Sequence, residues 1–450
     1  MIVKVHLLGV DDLFGGCIMK ASLLKQKDFF LLIFGKLVSN VGSQMQSFAL
    51  SLYVLSITGS ATKFASVLAI TIIPRLILGP IAGVFADWFD RKKMMVGLDI
   101  LSGVIVGVFA IIFKINGGFN LIHIYILNIS LSLISVVFDP VTSTIIPSVL
   151  KKDELVDGNS LNSLFNSIGS LFAPALAGVL LGAFGLEILL IINSISFILS
   201  GISESFINVP KIEKAAEAIS FKRFNSDFKE GIGFIKNQKF ILTIIMIAVV
   251  VNFAFNPLFT IGVTYMAKQI IHVSDFQYGL IESFEVVSML VAPFIASRIY
   301  KKYHHGKVEF YVILTTGLLI GVLSIIPSNG YLNIFSSNLI PYISSIAIIF
   351  VIGIVVTTGN IVLNTLMQEN VPLDIMGRVL SVMGVACGCA IPFGQMIFGV
   401  LYDKISTSLC FLITSLIMII CILCFRKALC GNQASGVKEE PQCALTEEIK

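Results

Sequence analysis

Long apolar runs broken by short polar turns recur from one end of the chain to the other. Runs long enough to cross a bilayer begin near Phe29, Thr62, Met94, Asn120, Leu161, Leu186, Phe240, Phe276, Phe310, Leu339, Val379 and Ser406. A hydrocarbon layer about 30 Å thick takes roughly 20 residues of helix at about 1.5 Å rise each. The pattern predicts an all-α membrane protein with about twelve transmembrane helices. The single long internal polar stretch, NVPKIEKAAEAISFKRFNSDFKEGIGFIKNQ, runs from Asn208 to Gln238 and follows the sixth run. The expected organisation is an N-terminal segment (1–27), a six-helix half (28–207), a connecting segment (208–238), a second six-helix half (239–426) and a C-terminal tail (427–450).

Composition sharpens this picture. The chain is 56% hydrophobic and 13% charged, with a mean hydropathy of +0.94, against roughly 45–50% apolar and about 25% charged for soluble domains. With the spans taken out, no polar stretch is long enough for a separate catalytic domain. No GxxxxGK[ST] loop occurs, so an attached ATPase is excluded, and no HExxH, GxSxG or paired-aspartate motif suggests an intramembrane enzyme. No catalytic residue, cofactor or metal site is expected. Cys387, Cys389, Cys410, Cys421 and Cys424 lie inside apolar runs and read as small packing residues.

The net charge of +4 follows membrane topology rather than nucleic acid. Short loops rich in lysine and arginine stay cytoplasmic. With the N-terminus inside, the outer loops hold only Lys63, Lys114, Lys268 and Lys404, while the inner segments hold Lys20, Lys25, Lys27, Arg91 to Lys93, Lys151, Lys152, seven basic residues from Lys211 to Lys239, Arg298, Lys301, Lys302, Lys307, Arg378, Arg426 and Lys427. Both termini are therefore expected in the cytoplasm of a cell bearing the protein in its inner membrane. Residues 1–18 do not resemble a secretory leader, because Asp11 and Asp12 interrupt the apolar stretch. They read equally as a tail or as sequence ahead of a start at Met19.

After the second run the chain reads GPIAGVFADWFDRKKMM, and this loop resembles that of the major facilitator superfamily, in which a glycine, an acidic residue and a basic cluster join the second and third helices. Gly83, Asp87, Arg91 and Lys92 meet that spacing. Glycine permits close helix approach, and an aspartate can pair with basic side chains or a helix N-terminus. Trp88 stands where a basic residue is usual, and Asp90 replaces the turn glycine, a substitution that a left-handed backbone tolerates. Other stretches resemble the drug-exporter branch that includes macrolide and siderophore exporters: KLVSNVGSQMQSFALSLYVLSITGSATKFA, FDPVTSTIIPSVLKKDELVDGNSLNSL and MQENVPLDIMGRVLSVMGV. In the fifth run NSIGSLFAPALAGVLL is similar to the antiporter motif at Gly169, Pro174 and Gly178, with Ala173 and Ala177 where glycines are usual. Pro174 can kink that span. The fourth run carries no arginine where many proton-coupled drug exporters have one. The halves echo each other, since Pro174 and Pro392 each follow a polar turn, Asn159 or Gly377, by fifteen residues.

Ionisable groups inside spans are costly and tend to face a cavity or one another. Lys36, Arg75, Asp139, Glu282 and Glu285 are such groups. Arg75 lies too deep to reach either interface. It reads either as a cavity cation for an anionic substrate group or as the structural partner of Asp139. Glu282 and Glu285 share one face of the eighth helix and read as proton carriers or as hydrated residues of the outer mouth. Lys36 is expected to extend to the cytoplasmic interface, and Asp139, preceding Pro140, reads as a helix-bend residue or a substrate contact. Asn40 with Gln44, Asn252 with Asn256, and Asn360 with Asn364 lie four residues apart, so helices one, seven and ten would each present an amide stripe. Such stripes suit a bulky amphipathic ligand or bond helices together.

The resemblance implies two six-helix halves working by alternating access, exporting amphipathic small molecules with the proton as coupling ion. A lipid or siderophore transporter, or a membrane sensor without transport, are the alternatives. The expected partners are a small-molecule substrate and membrane lipids, with the protein monomeric and no nucleic acid bound. Single cysteines at Asn225 and Asn329 in a cysteine-free background should label from opposite faces of the membrane, Asn329 from outside; labelling of both from one face would overturn this topology.

Overall fold

The computed structural model describes residues 23–88, 90–151, 154–208, 221–302, 305–335 and 337–430. Hydrocarbon offers no hydrogen bonds to a backbone, so a spanning segment must satisfy its own peptide groups. The described residues accordingly form helices and no strand. They are α1 (Lys27–Thr58), α2 (Ala61–Trp88), α3 (Arg91–Asn116), α4 (Leu121–Val149), α5 (Leu155–Ser205), α6 (Phe221–Asn237), α7 (Lys239–Pro257), α8 (Asp275–Lys302), α9 (His305–Leu323), α10 (Asn329–Leu332), α11 (Leu339–Asn370), α12 (Leu373–Lys404) and α13 (Thr407–Cys430). After Pro257, α7 continues through two π-helical segments, Leu258–Val263 and Met266–Ile270.

Local chemistry sets the helix ends. Gly59, at φ 59°, ends α1 by donating its N–H to Leu55, and Gly117, at φ 68°, ends α3 in the same way on Phe113. Asn120 and His123 form a reciprocal cap at the start of α4. Asp90 departs from the left-handed turn expected of it. Its backbone is extended at φ −61° and ψ 113°, and its carboxylate accepts the Lys93 N–H at 3.1 Å, so its role is the N-cap of α3. At Pro174 the backbone keeps helical angles. The break in α5 comes instead at Gly185, with φ 76° and ψ 179°, and divides the helix into two arms.

Ten segments among the described residues are long and apolar enough to cross a membrane, one of them Ile168–Ser205 with its break at Gly185. Helix α1, 32 residues long, is not among the ten, because Lys36, Asn40, Gln44 and Gln46 interrupt its apolar residues. These ten stand against the expected twelve; α1, and α5 divided at Gly185, are where further spans would lie.

Small residues bring the helices together. Gly42 of α1 lies directly against Asn193 and Ser196 on the second arm of α5. A repeat joins the halves more plainly than the proline spacing does. Ser194 of α5 donates to the carbonyl of Gly103 in α3 at 2.7 Å, and Ser415 of α13 donates to that of Gly317 in α9, also at 2.7 Å. In each case a second glycine one turn on, Gly107 or Gly321, faces the same serine. The first half therefore contains an α3–α5 contact whose counterpart is α9–α13.

Contacts between the halves gather toward the end of the bundle where α1 finishes and α2 begins. There the first arm of α5 packs on α8, and α2 on α12. A Cβ on Gly178 would fall 2.5 Å from the carbonyl oxygen of Asp275, and one on Gly279 would fall 2.5 Å from that of Pro174. Gly399 meets Ala61, Thr62 and Ala65 in the same manner on the other side. Phe48 of α1 stacks on Tyr278 of α8 with ring centroids 5.3 Å apart, and Ser283 donates to the carbonyl of Leu171 at 2.9 Å.

Gly178→Leu should force this seam apart, at an overpacking cost of about 1–3 kcal/mol. The expected result is a lower thermal midpoint and faster modification of a cysteine placed at Ser283. A variant matching the parent in both measurements would show that the seam has room for a side chain.

Candidate functional site

The polar face of α1 lies along a cavity of about 740 Å³ whose lining comes from α1 to α5. Asn40 and Gln44 line it together with Arg75 of α2, Asp139 of α4, Asn166 on the first arm of α5 and Asn193 on the second. Residues three or four apart on a helix share a face, so the α1 pattern turns Lys36, Asn40, Ser43, Gln44 and Ser47 toward one space.

Arg75 and Asp139 form an ion pair across α2 and α4. The pair is open to the cavity: the two side chains are 64% and 55% exposed. A structural pair and a cavity cation are thus the same group, a guanidinium held by a carboxylate but accessible to a ligand. Around it, Gln44 donates to Ser170 at 3.4 Å, and Asn193 donates to Gln46 at 2.7 Å. Half-buried Lys36 interacts electrostatically with Asp139 and with Glu204. It therefore faces the cavity rather than extending to an interface, as the sequence suggested.

The amides of the second half are arranged differently. Asn252 donates to the carbonyl of Ala248, and Asn364 to that of Asn360, both at 2.8 Å and each within its own helix. Asn256 accepts from Gln395 of α12 at 3.1 Å. Asn252 and Asn360 line a separate cavity of about 90 Å³ beside Glu309. The three expected stripes therefore do not converge on one space: the first lines the large cavity, the other two meet each other elsewhere.

Glu282 accepts from the Tyr278 hydroxyl at 2.7 Å, and that hydroxyl is also bonded to Thr264 at 2.6 Å. Since Tyr278 stacks on Phe48, Glu282 lies just beneath the closed seam, with half-buried Glu285 one turn further along α8. Of the basic loop, Arg91 and Lys92 open α3 beside the Asp90 cap, while the surroundings of Gly83 and the side chain of Asp87 lie outside what the structure describes. Gly169 packs against Asn40 and Val41, Pro174 against Gly279, and Gly178 against Asp275, so the antiporter-like residues form helix contacts. Cys387, Cys389, Cys410, Cys421 and Cys424 are free, and no cluster of metal ligands occurs among the described residues.

Three buried carboxylates were not singled out from the sequence: Asp99 on α3, Glu204 on the second arm of α5 and Glu309 on α9, at 2%, 1% and 4% exposure. Asp99 lies as far into its apolar run as Lys36 does, so the same depth test would have found it. Glu204 and Glu309 sit at run ends, where they read as loop residues.

At the closed end a carboxylate of one half caps a helix of the other. Asp403, at the end of α12, accepts from the N–H of Ala61 at 2.6 Å, the N–H of Thr62 at 2.9 Å and the hydroxyl of Ser60 at 2.6 Å. These donors open α2, where the helix dipole favours an anion.

A family model described as Major Facilitator Superfamily matches residues 32–394. Macrolide efflux protein A of Streptococcus pyogenes is 21% identical over 410 residues, covering 88% of this chain and 95% of that protein. The multidrug efflux pump Tap of Mycobacterium bovis is 24% identical over 397 residues, covering 86% and 90%. Among solved structures, a bacterial homologue of the iron transporter ferroportin in its inward-facing state superposes with a TM-score of 0.71 at 16% identity, covering 90% of this chain and 99% of that one. Its outward-facing state gives a TM-score of 0.57.

Asp403→Asn should weaken the cap by about 1 kcal/mol, the scale of a charge at a helix terminus, which is roughly a fivefold change in a two-state ratio. Spin labels at Lys63 and Lys404 should then report a larger population with that end apart. An unchanged distance distribution would mean that the cap does not hold the seam.

Proposed function

Because the chain belongs to the major facilitator superfamily, we propose that it is a secondary active exporter, moving amphipathic small molecules out of the cell by alternating access at the expense of the proton gradient. The observation that carries this reading is the accessible Arg75–Asp139 pair in a large polar cavity, beneath a seam closed by Gly178, Gly279 and Asp403. The lysine and arginine distribution supports cytoplasmic termini. The closed seam is then the outer gate, and the cavity belongs to the inward-open state.

In this state a ligand from the cytoplasm meets a polarisable ion pair flanked by the amides of Asn40 and Gln44. Amides bind through directional hydrogen bonds without demanding a charge. The long apolar stretches of the same helices suit the rest of an amphipathic molecule. The names of the relatives, a macrolide efflux protein and a multidrug efflux pump, favour such substrates. The ferroportin homologue is alike only in fold.

The halves 28–207 and 239–426 rock about the central path while 208–238 tethers them, the protein working as a monomer. Opening outward separates Gly178 from Asp275 and frees Asp403 from α2. Asp87, with Arg91 and Lys92, would brace the cytoplasmic side in the opposite state. Glu282 and Glu285 lie beneath the outer gate, suited to take a proton when that gate opens and release it when it closes.

The test is uptake of fluorescent macrolide-like and other amphipathic compounds into inside-out vesicles, with and without a protonophore. Uphill, protonophore-sensitive uptake is expected. Replacing the carrier among Glu282→Gln and Glu285→Gln should abolish uphill transport while leaving downhill exchange. Full uphill transport in both variants would remove these carboxylates from the coupling, and absence of any substrate-dependent flux would sink the exporter reading itself.

A further inference from the structure

The charges around the large cavity do not balance. Arg75 is matched by Asp139. Lys36 shares the cavity wall with Asp99 and interacts with Glu204 as well as with Asp139, so with all five groups ionised the described charges here sum to −1. Asp99 and Glu204 are 2% and 1% exposed, and Asp99 Oδ2 and Glu204 Oε2 have no hydrogen-bond partner among the described residues. The Ser200 hydroxyl lies between them, donating to Glu204 Oε1 at 3.5 Å and close enough to interact with Asp99.

The place is built by close packing of three helices. A Cβ on Gly35 of α1 would lie 3.2 Å from the Ser200 hydroxyl, and one on Gly201 would lie 3.6 Å from the Cβ of Asp99. Asp99 is in the cavity wall with Lys36, so it has a route to water, while Glu204 sits behind it. Among the described residues, the other charged groups facing this place are Asp139 on α4 and, paired with it, Arg75 on α2. Asp28, nearer the start of α1, accepts the N–H of Asn208, and Arg91, Lys92 and Lys93 open α3 at its end.

We propose that Asp99 and Glu204 together hold one exchangeable proton, forming a proton site between α1, α3 and the second arm of α5, with Lys36 as the counter-charge of the carboxylate that stays ionised. An unbalanced ion buried among membrane helices costs several kcal/mol, and one proton removes the imbalance. The carboxylic O–H also supplies a donor where two carboxylates have one hydroxyl between them. A hard metal cation takes about six oxygen ligands. Here the side chains offer two carboxylates and Ser200, the helix carbonyls are engaged in their own ladders, and the Lys36 ammonium already supplies the positive charge.

The site deepens the proton-driven reading and rests on it only for what the proton is used for. It is separate from Glu282 and Glu285, which lie in the other half. Protonated, the cluster is neutral and α1, α3 and α5 can stay closely packed. On losing its proton into the cavity it becomes anionic, and a cation arriving in the cavity favours that loss.

The test is infrared spectroscopy of the full chain in lipid nanodiscs, following the carbonyl stretch of protonated carboxyl groups through a pH titration in H2O and D2O. Asp99→Asn and Glu204→Gln should each remove a pH-dependent, deuterium-sensitive component that persists in Glu282→Gln. If Asp99→Asn does not fold, Glu204→Gln decides alone, with Ser200→Ala expected to shift the component's frequency. A spectrum that keeps the component in the carboxyl variants would overturn the proposal. So would a component abolished by sodium at fixed pH, which would make the site one for a metal cation. Loss of uphill transport in vesicles with this component intact bears on the coupling role of Glu282 and Glu285 and leaves the present site standing.

Discussion

A peptide group in hydrocarbon must find its hydrogen bond within its own segment, and the rest of this molecule follows from that requirement. It makes every described span a helix, and it leaves side chains as the means of holding helices together. Because lipid is as apolar as leucine, greasy contact alone does not favour one helix pair over another. Close backbone approach and a few polar bonds supply the difference. The matched bonds from Ser194 to Gly103 and from Ser415 to Gly317 illustrate both at once.

The same device joins the halves. Gly178 and Gly279 let α5 and α8 meet at backbone distance, and Asp403 places a carboxylate on the first amides of α2. Phe48 stacked on Tyr278 adds an apolar contact, so the seam combines close backbone approach, one capped helix and a buried aromatic pair.

The two halves share a framework but not an interior. The first is open and ionic, with Arg75 and Asp139 accessible and Lys36, Asp99 and Glu204 packed behind them. In the second, Asn252 and Asn364 bond to their own helices, Asn256 is taken by Gln395, and Glu309 is enclosed in a small cavity. Accessible ionic groups are therefore concentrated on one side of the central path, and the other side supplies Tyr278, Glu282 and Asp403 at or beside the contact between the halves.

The sequence alone determined the helical class, the start of each apolar run and the cavity-facing set on α1, because hydropathy and helical periodicity are local properties that a membrane reads directly. It also marked Arg75 and Asp139, since charges deep in an apolar run stand out. Which charges meet is not local. Asp99 and Glu204 lie about a hundred residues apart and come together only because Gly35 and Gly201 allow three helices to touch. Asp403 gains a role only where α12 and α2 lie side by side, and Asp90, read as a turn, proved to be a cap once its backbone angles were known. Tertiary structure decided these roles because a charge in a low dielectric is defined by its neighbours, and the neighbours come from distant parts of the chain.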